Sequence, residues 1–184
     1  MNVLYCCNYN VGAVSYYIKR SLDRLGIKTF AYTPDDPIDG FQRCEHDVDI
    51  PSLISSLNAS VDMVLIVEAS IHPLFAPRGL ERVTVPKVWW AIDNHLNFRW
   101  HKEYANLFDI AYFAQYDYMK FAHKYGADSV RWLPLACDPE IHRESASERI
   151  YDLSFVGNLS PNRRIFFDKL KQKVNVSLFS GKNP

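Results

Sequence analysis

A doubly wound α/β fold, with a parallel sheet held between helices, is what this sequence predicts, and three observations carry that expectation. Short runs such as Val3-Leu-Tyr-Cys-Cys7, Met63-Val-Leu-Ile-Val67 and Val88-Trp-Trp-Ala-Ile92 are apolar throughout rather than alternating, so both of their faces must be covered. The segments joining them are of helix length, as right-handed crossovers between parallel strands require. Polar residues stand directly after several of the runs, at the end where doubly wound, Rossmann-like sheets bind their ligands.

The elements follow in order. Val3–Cys7 is the first strand, ending at Asn8 and followed by Gly12. Val14, Ile18, Leu22 and Leu25 then share one face of an amphipathic helix that Gly26 stops. Thr29–Tyr32 is a second strand, and Pro34-Asp-Asp-Pro37 is a turn. Pro51–Leu57 reads as a helix with proline near its start. Met63–Val67 is a strand closed by Glu68, Val88–Ile92 one closed by Asp93, and Ile110–Ala114 a fifth. A helix over Tyr116–Tyr125 stops at Gly126, and Val130–Leu133 is a sixth strand broken by Pro134. Parallel pairing brings Asn8, Glu68, Asp93 and Asn94 to one edge of the sheet. A single polar residue there merely begins a loop, whereas four together predict a cleft.

The character of the chain changes after Pro134. Ile141–Arg149 is polar and charged, as linkers between domains are. A fresh βαβ follows, with a strand at Asp152–Val156, a tight loop at Gly157–Asn162, a helix at Arg163–Lys173 and a strand at Val174–Phe179. The expected organisation is a first domain over 1–138, a linker over 139–150, and the initial βαβ of a second domain over 151–184. One βαβ cannot close a core alone, so the second domain is expected to be cut short.

Composition excludes several classes. Hydrophobic residues make up 48 %, which argues against disorder. Lys plus Arg and Asp plus Glu number 21 each, so net charge gives no reason to expect nucleic acid or an anionic membrane as a default partner. No run approaches the roughly 20 apolar residues of a membrane span, and the start lacks the pattern of a signal peptide. Of the four cysteines, Cys6 and Cys7 fit small core residues better than a disulfide, and none shows metal-ligand spacing. A cytoplasmic protein with reduced thiols, no bound metal and no cofactor is expected. Asn8-Tyr-Asn-Val-Gly12 is not the G-x-G-x-x-G of a dehydrogenase, and Tyr5–Asn8 lacks the clustered acids of a receiver domain. A non-catalytic flavodoxin-like binding or regulatory module stays open as the alternative.

The loop Gly157–Arg164 has the makings of a diphosphate cradle. Glycine lets the backbone approach a ligand, Ser160 or Asn162 can cap the following helix, and Arg163 and Arg164 offer cationic donors. With this loop in view, Trp132-Leu-Pro-Leu-Ala-Cys-Asp-Pro-Glu-Ile-His142, then Tyr151-Asp-Leu-Ser-Phe-Val-Gly-Asn158 and Pro161-Asn-Arg-Arg164, resembles the interdomain crossing of CgeB-like glycosyltransferases, in the GT-B group. Trp90-Ala-Ile-Asp-Asn-His95 and Phe113-Ala-Gln115 stand where that family places its fourth and fifth strand ends. The resemblance is best from Trp89 to Arg164.

It implies a Rossmann-like N-terminal domain that binds the acceptor and a second domain that binds a nucleotide-sugar donor, usually without metal. Most of that second domain would be missing, so the chain alone is expected to be incomplete for catalysis. Asp93 and His95 become the candidate catalytic pair, the imidazole serving as general base or steadying charge on the sugar. Asn8, Gly12, Glu68, Gly157, Asn158 and Arg163 become the substrate- and donor-binding candidates. His72, His101, His123 and His142 are expected on the surface, and Trp89, Trp90, Phe98 and Trp100 in packing.

Overall fold

The computed structural model describes residues 1–8, 14–36, 40–67, 75–144, 146 and 148–180. It divides into two compact units, Met1–His142 and Arg143–Pro184.

In the first unit the strands are β1 (Asn2–Cys7), β2 (Lys28–Thr33), β3 (Phe41–Arg43), β4 (Met63–Val67), β5 (Lys87–Ala91), β6 (Ile110–Phe113) and β7 (Val130–Trp132). They form one sheet in the order β3-β2-β1-β4-β5-β6-β7, with every pairing parallel. β1 is central, and Val3 through Cys7 are all fully buried. A strand in that place needs apolar side chains on both faces, which is why its run does not alternate. The chain walks from β1 to β3 in one direction and then returns to lay β4 on the other side of β1. The order therefore reverses between β1 and β4, the point where open α/β sheets bind ligands.

All six expected strands are present. β3 is an addition: only Phe41 of its three residues is buried, too little for a hydrophobic run to be visible in the sequence.

Helices cover the two faces unequally. α1 (Val14–Arg24) packs Val14, Tyr16 and Ile18 against Val3, Tyr5, Cys7 and Ala31. On the other face lie α2 (Ile50–Ser56), α3 (Asn94–Tyr104) and α4 (Tyr116–Lys124), over Leu4, Cys6, Val64, Ile66, Trp89 and Phe113. α4 stops at Gly126, whose φ of +81° lets the N–H of Ala127 turn back to the carbonyl of Ala122. α3 begins directly after Asp93, so residues 94–97 are helical. The physical reason is the side of the helix that Phe98, Trp100 and Tyr104 share with the core, which the polar residues between them obscure.

The second unit holds β8 (Leu153–Val156), α5 (Pro161–Leu170) and β9 (Val176–Phe179), with β8 and β9 parallel. Phe155 packs on Phe167 at 4.8 Å between ring centroids, while Val156, Ile165 and Phe166 remain exposed.

The segment after β7 is tied to α1 by a buried carboxylate. The Asp138 side chain is wholly shielded, and Arg24 donates to its Oδ1 at 2.6 Å while Arg20 donates to its Oδ2 at 3.2 Å. The N–H of Glu140 adds a bond to Oδ1 at 3.0 Å, and the rings of Tyr17 and His142 meet edge-on at 5.2 Å. The hydrogen bond from Arg24 is the main cause holding the Asp138 carboxyl down at about 2, against an ordinary value of 3.8. A carboxylate with a depressed folded-state pKa stabilises the fold fully above its unfolded value and loses that contribution as pH falls toward 2. Thermal melts between pH 5 and pH 2 should therefore show a loss of stability on acidification. Asp138→Asn should be less stable at pH 5 and show a shallower acid limb, and an unchanged limb would refute the latch.

Candidate functional site

Because every strand in the first unit is parallel, all their carboxyl ends lie along one edge of the sheet. Asn8 follows β1 there and Asp93 follows β5, with β4 between them. Gly12 and Glu68, the other two candidates expected along this edge, lie outside the described residues, as does His72.

Asn8 is buried, and its amide donates to Oδ2 of Asp35 at 3.4 Å. Thr33, also buried, donates to the same oxygen at 3.3 Å and accepts the N–H of Asp35 at 3.2 Å. Asn8 thus helps to hold a carboxylate at the end of β2 rather than standing open itself. Asp35 was hidden within Pro34-Asp-Asp-Pro37, where the turn signal masked a residue that comes to lie beside the end of β1.

Asp93 occupies the N-cap position of α3, yet its side chain caps none of the helix N–H groups. Its backbone carbonyl accepts the N–H groups of Leu96 and Asn97 at 3.0 and 3.1 Å, which leaves the half-buried carboxylate available for other chemistry. His95 is exposed on the first turn of the helix. A carboxylate and an imidazole two residues apart at a strand end can take or share a proton from a hydroxyl bound beside them.

Asn94, expected with Asn8, Glu68 and Asp93 along a cleft, is instead structural. It is fully buried, and its Oδ1 accepts the N–H of Ala114 at 3.0 Å while its own N–H donates to Oε1 of Gln115 at 3.1 Å. With Oδ1 committed to a donor, its Nδ2 must face His101, and it donates to Nδ1 at 3.0 Å. Nδ1 of His101 is therefore the acceptor in this bond. His101 was expected on the surface; it is fully buried, because it follows Trp100 into the aromatic core and lies 5.0 Å from Trp89. Among the other histidines, His123 and His142 are exposed, each bonded to a backbone carbonyl. Trp89 and Trp100 pack as expected. Trp90 and Trp132 donate their indole N–H groups to the carbonyls of Leu133 and Ala114.

In the second unit, Gly157 follows β8 with its N–H donated to the carbonyl of Phe179 at 2.9 Å. Its φ is +150°, and a Cβ there would lie 3.2 Å from the Phe155 ring, so glycine is required. Ser160 is the N-cap residue of α5 and Pro161 its first residue, but no side chain caps the helix, so its first N–H groups stay open to an anion. A cavity of about 290 Å³ is lined by Asn158, Leu159, Arg164 and Ser180. Arg163 does not line it: it donates to the carbonyl of Asn158 at 2.8 Å and lies over the Phe155 ring. Of the two adjacent arginines, one clamps the loop and the other reaches the cavity, a division that only the helical phase decides.

A second cavity, of about 240 Å³, lies between α1, Trp90 and the segment Leu135–Asp138. It is apolar and includes none of the sequence-derived candidates. Among the described residues no cluster of metal-ligating side chains occurs, and no helix is long and apolar enough to cross a membrane. No protein-family model matches the chain, and no curated protein matches it with significance.

Removing the Asn94 side chain leaves the N–H of Ala114 and Nδ1 of His101 buried without that partner. Asn94→Ala should cost about 3 kcal/mol in urea unfolding, whereas His95→Ala, on the exposed side of the same turn, should be close to neutral. Similar costs for the two would show that Asn94 is not the bridge between α3 and the end of β6.

Proposed function

We propose that this chain is part of a nucleotide-sugar-dependent glycosyltransferase of the GT-B, CgeB-like kind. In this reading Met1–His142 serves the acceptor side, and Gly157–Arg164 holds the diphosphate of the donor. The observation that supports it most is the cavity at the open N-terminus of α5, where Asn158 and Arg164 meet beside a glycine that no other residue can replace. Free N–H groups, the positive end of the helix and a guanidinium together suit phosphate oxygens. The Rossmann strand order of the first unit is also the kind of frame a GT-B N-terminal domain needs. The flavodoxin-like order 2-1-3-4-5 differs from this sheet at the short edge strand β3, which extends it beyond β2.

His95 or Asp93 takes the proton of an acceptor hydroxyl. The oxygen forms a bond to the anomeric carbon, and the bond from that carbon to the diphosphate oxygen breaks. In the second unit, Arg164 and the N-terminus of α5 carry the positive charge that suits the oxygens of a nucleoside diphosphate. Asn8, through Asp35, belongs to the acceptor edge, and the reaction would draw on a cytoplasmic pool of nucleotide sugars.

Calorimetric titration with UDP and GDP tests the donor half. Binding should be weak, since the described residues that line the cavity include no ring or carboxylate to hold the base or the ribose. Arg164→Ala should weaken it about tenfold, and Arg163→Ala should act less, through the loop it clamps. Tight binding that ignores Arg164→Ala would place the nucleotide elsewhere and overturn the reading.

A further inference from the structure

The carboxyl edge of the first unit carries a fixed aromatic platform beside Asp93. Trp132, the last residue of β7, is 49 % exposed, whereas Trp89 is buried and Trp90 and Trp100 are half-buried. Its indole is held in place. Nε1 donates to the Ala114 carbonyl at 3.2 Å, and the ring meets Tyr116 at 5.3 Å with the two planes 66° apart. Lys120 lies over the Tyr116 ring, but among the described residues no cation lies over Trp132. A pinned indole thus shows an open surface at the end of the sheet where ligands bind.

Strand register brings this platform to the candidate pair. Ala91 pairs with Phe113 and Phe113 with Trp132, so Trp132 stands two strand spacings from Ala91, about 10 Å. Asp93 follows Ala91 by two residues. Partners in register share a face, and Ala91 and Phe113 both pack on the side that α3 and α4 cover. Trp132 therefore stands on that side, at the end of the sheet where both helices begin. Gln115, the N-cap residue of α4, lies between. Its Oε1 is taken by the N–H of Asn94 at 3.1 Å, so its amide NH2 is a donor that no described residue accepts. The side chains of Asp93 and His95 likewise have no partner among the described residues.

An indole face bordered by hydrogen-bonding groups complements a pyranose. The C–H bonds of the sugar ring carry partial positive charge and rest on the negative face of the indole, while the hydroxyls at its rim reach donors and acceptors to the side. A nucleobase would use the same face but would bring no hydroxyl to Asp93 or His95. Resting on the reading of this unit as the acceptor side of a glycosyltransferase, we propose that the acceptor is itself a sugar. Its ring lies on Trp132, one hydroxyl turns to Asp93 and His95, and Gln115 donates to a neighbouring hydroxyl and so selects among sugars.

Saturation-transfer NMR of the full chain with methyl glucoside, methyl galactoside, methyl mannoside and N-acetylglucosamine tests this without any donor. At least one should receive saturation, most strongly at its ring C–H protons, and should shift the indole N–H resonance of Trp132. Trp132→Ala should weaken that sugar about tenfold, and Trp132→Phe, which loses the bond to Ala114 but keeps an aromatic face, by about threefold or less. Gln115→Glu keeps the acceptor for Asn94 and removes the donor, and should weaken the sugar about fivefold. Circular dichroism and urea unfolding of the Phe and Glu variants should match the parent chain. Saturation of none of the four sugars, or saturation indifferent to Trp132→Ala, would rule the proposal out, as would preferential binding of adenosine or uridine at Trp132. The donor half fails separately: UDP binding that depends on Arg164 with no sugar at Trp132 removes this inference alone. Sugar binding at Trp132 with no UDP binding supports it and removes the donor reading.

Discussion

The carboxyl edge of β5 depends on the burial of Trp89. This indole, 1 % exposed, is met by Trp100, His101 and Tyr104 from α3, by Phe108 after it and by Phe113 from β6, with centroids between 5.0 and 6.0 Å. Most of these rings meet edge to face or tilted, the geometry that adds to the simple removal of area from water. Once Trp89 sits in the core, α3 must start immediately after Asp93 to bring its aromatic side into contact. Asn94 is then carried inward, and it can be accommodated only because Ala114, Gln115 and His101 supply partners. Asp93 and His95, on either side of it, are left at the surface edge. One hydrophobic demand thus divides three adjacent polar residues into a structural one and two available for chemistry.

Charge is handled differently in different parts of the first unit. Asp138 is shielded from solvent and held by two arginines and a backbone N–H, so its ionised form is part of the fold. Breaking such a set is costly because a buried charge is left uncompensated. Lys120 and Lys124 instead rest on aromatic rings at the surface, where water and salt weaken the contact. Charged groups are part of the fold in one place and lie in solvent in another, with burial deciding between them.

The second unit shows how a short loop can be set by backbone constraint alone. Gly157 must be glycine for its φ, Arg163 spans the turn to the Asn158 carbonyl, and Pro161 begins α5 without needing an N–H. These three residues settle the loop before any ligand arrives. Arg164 is left as the cationic side chain on the cavity wall.

The sequence by itself determined the class of fold, because a strand buried on both faces must be apolar at every position and β1, β4 and β5 each announce this. It also determined the placement of Asn8, Asp93 and Gly157 at strand ends, since each directly follows such a run. It could not determine which polar residue faces inward. Asn94, His95 and His101 look alike in sequence, and their fates follow from the helical phase that Trp89 imposes on α3. Arg163 and Arg164 are equally indistinguishable until α5 fixes their directions. Asp35 joins Asn8 only when β2 pairs with β1. In each case the deciding contact lies between residues distant in the chain, where local pattern carries no information and tertiary packing carries all of it.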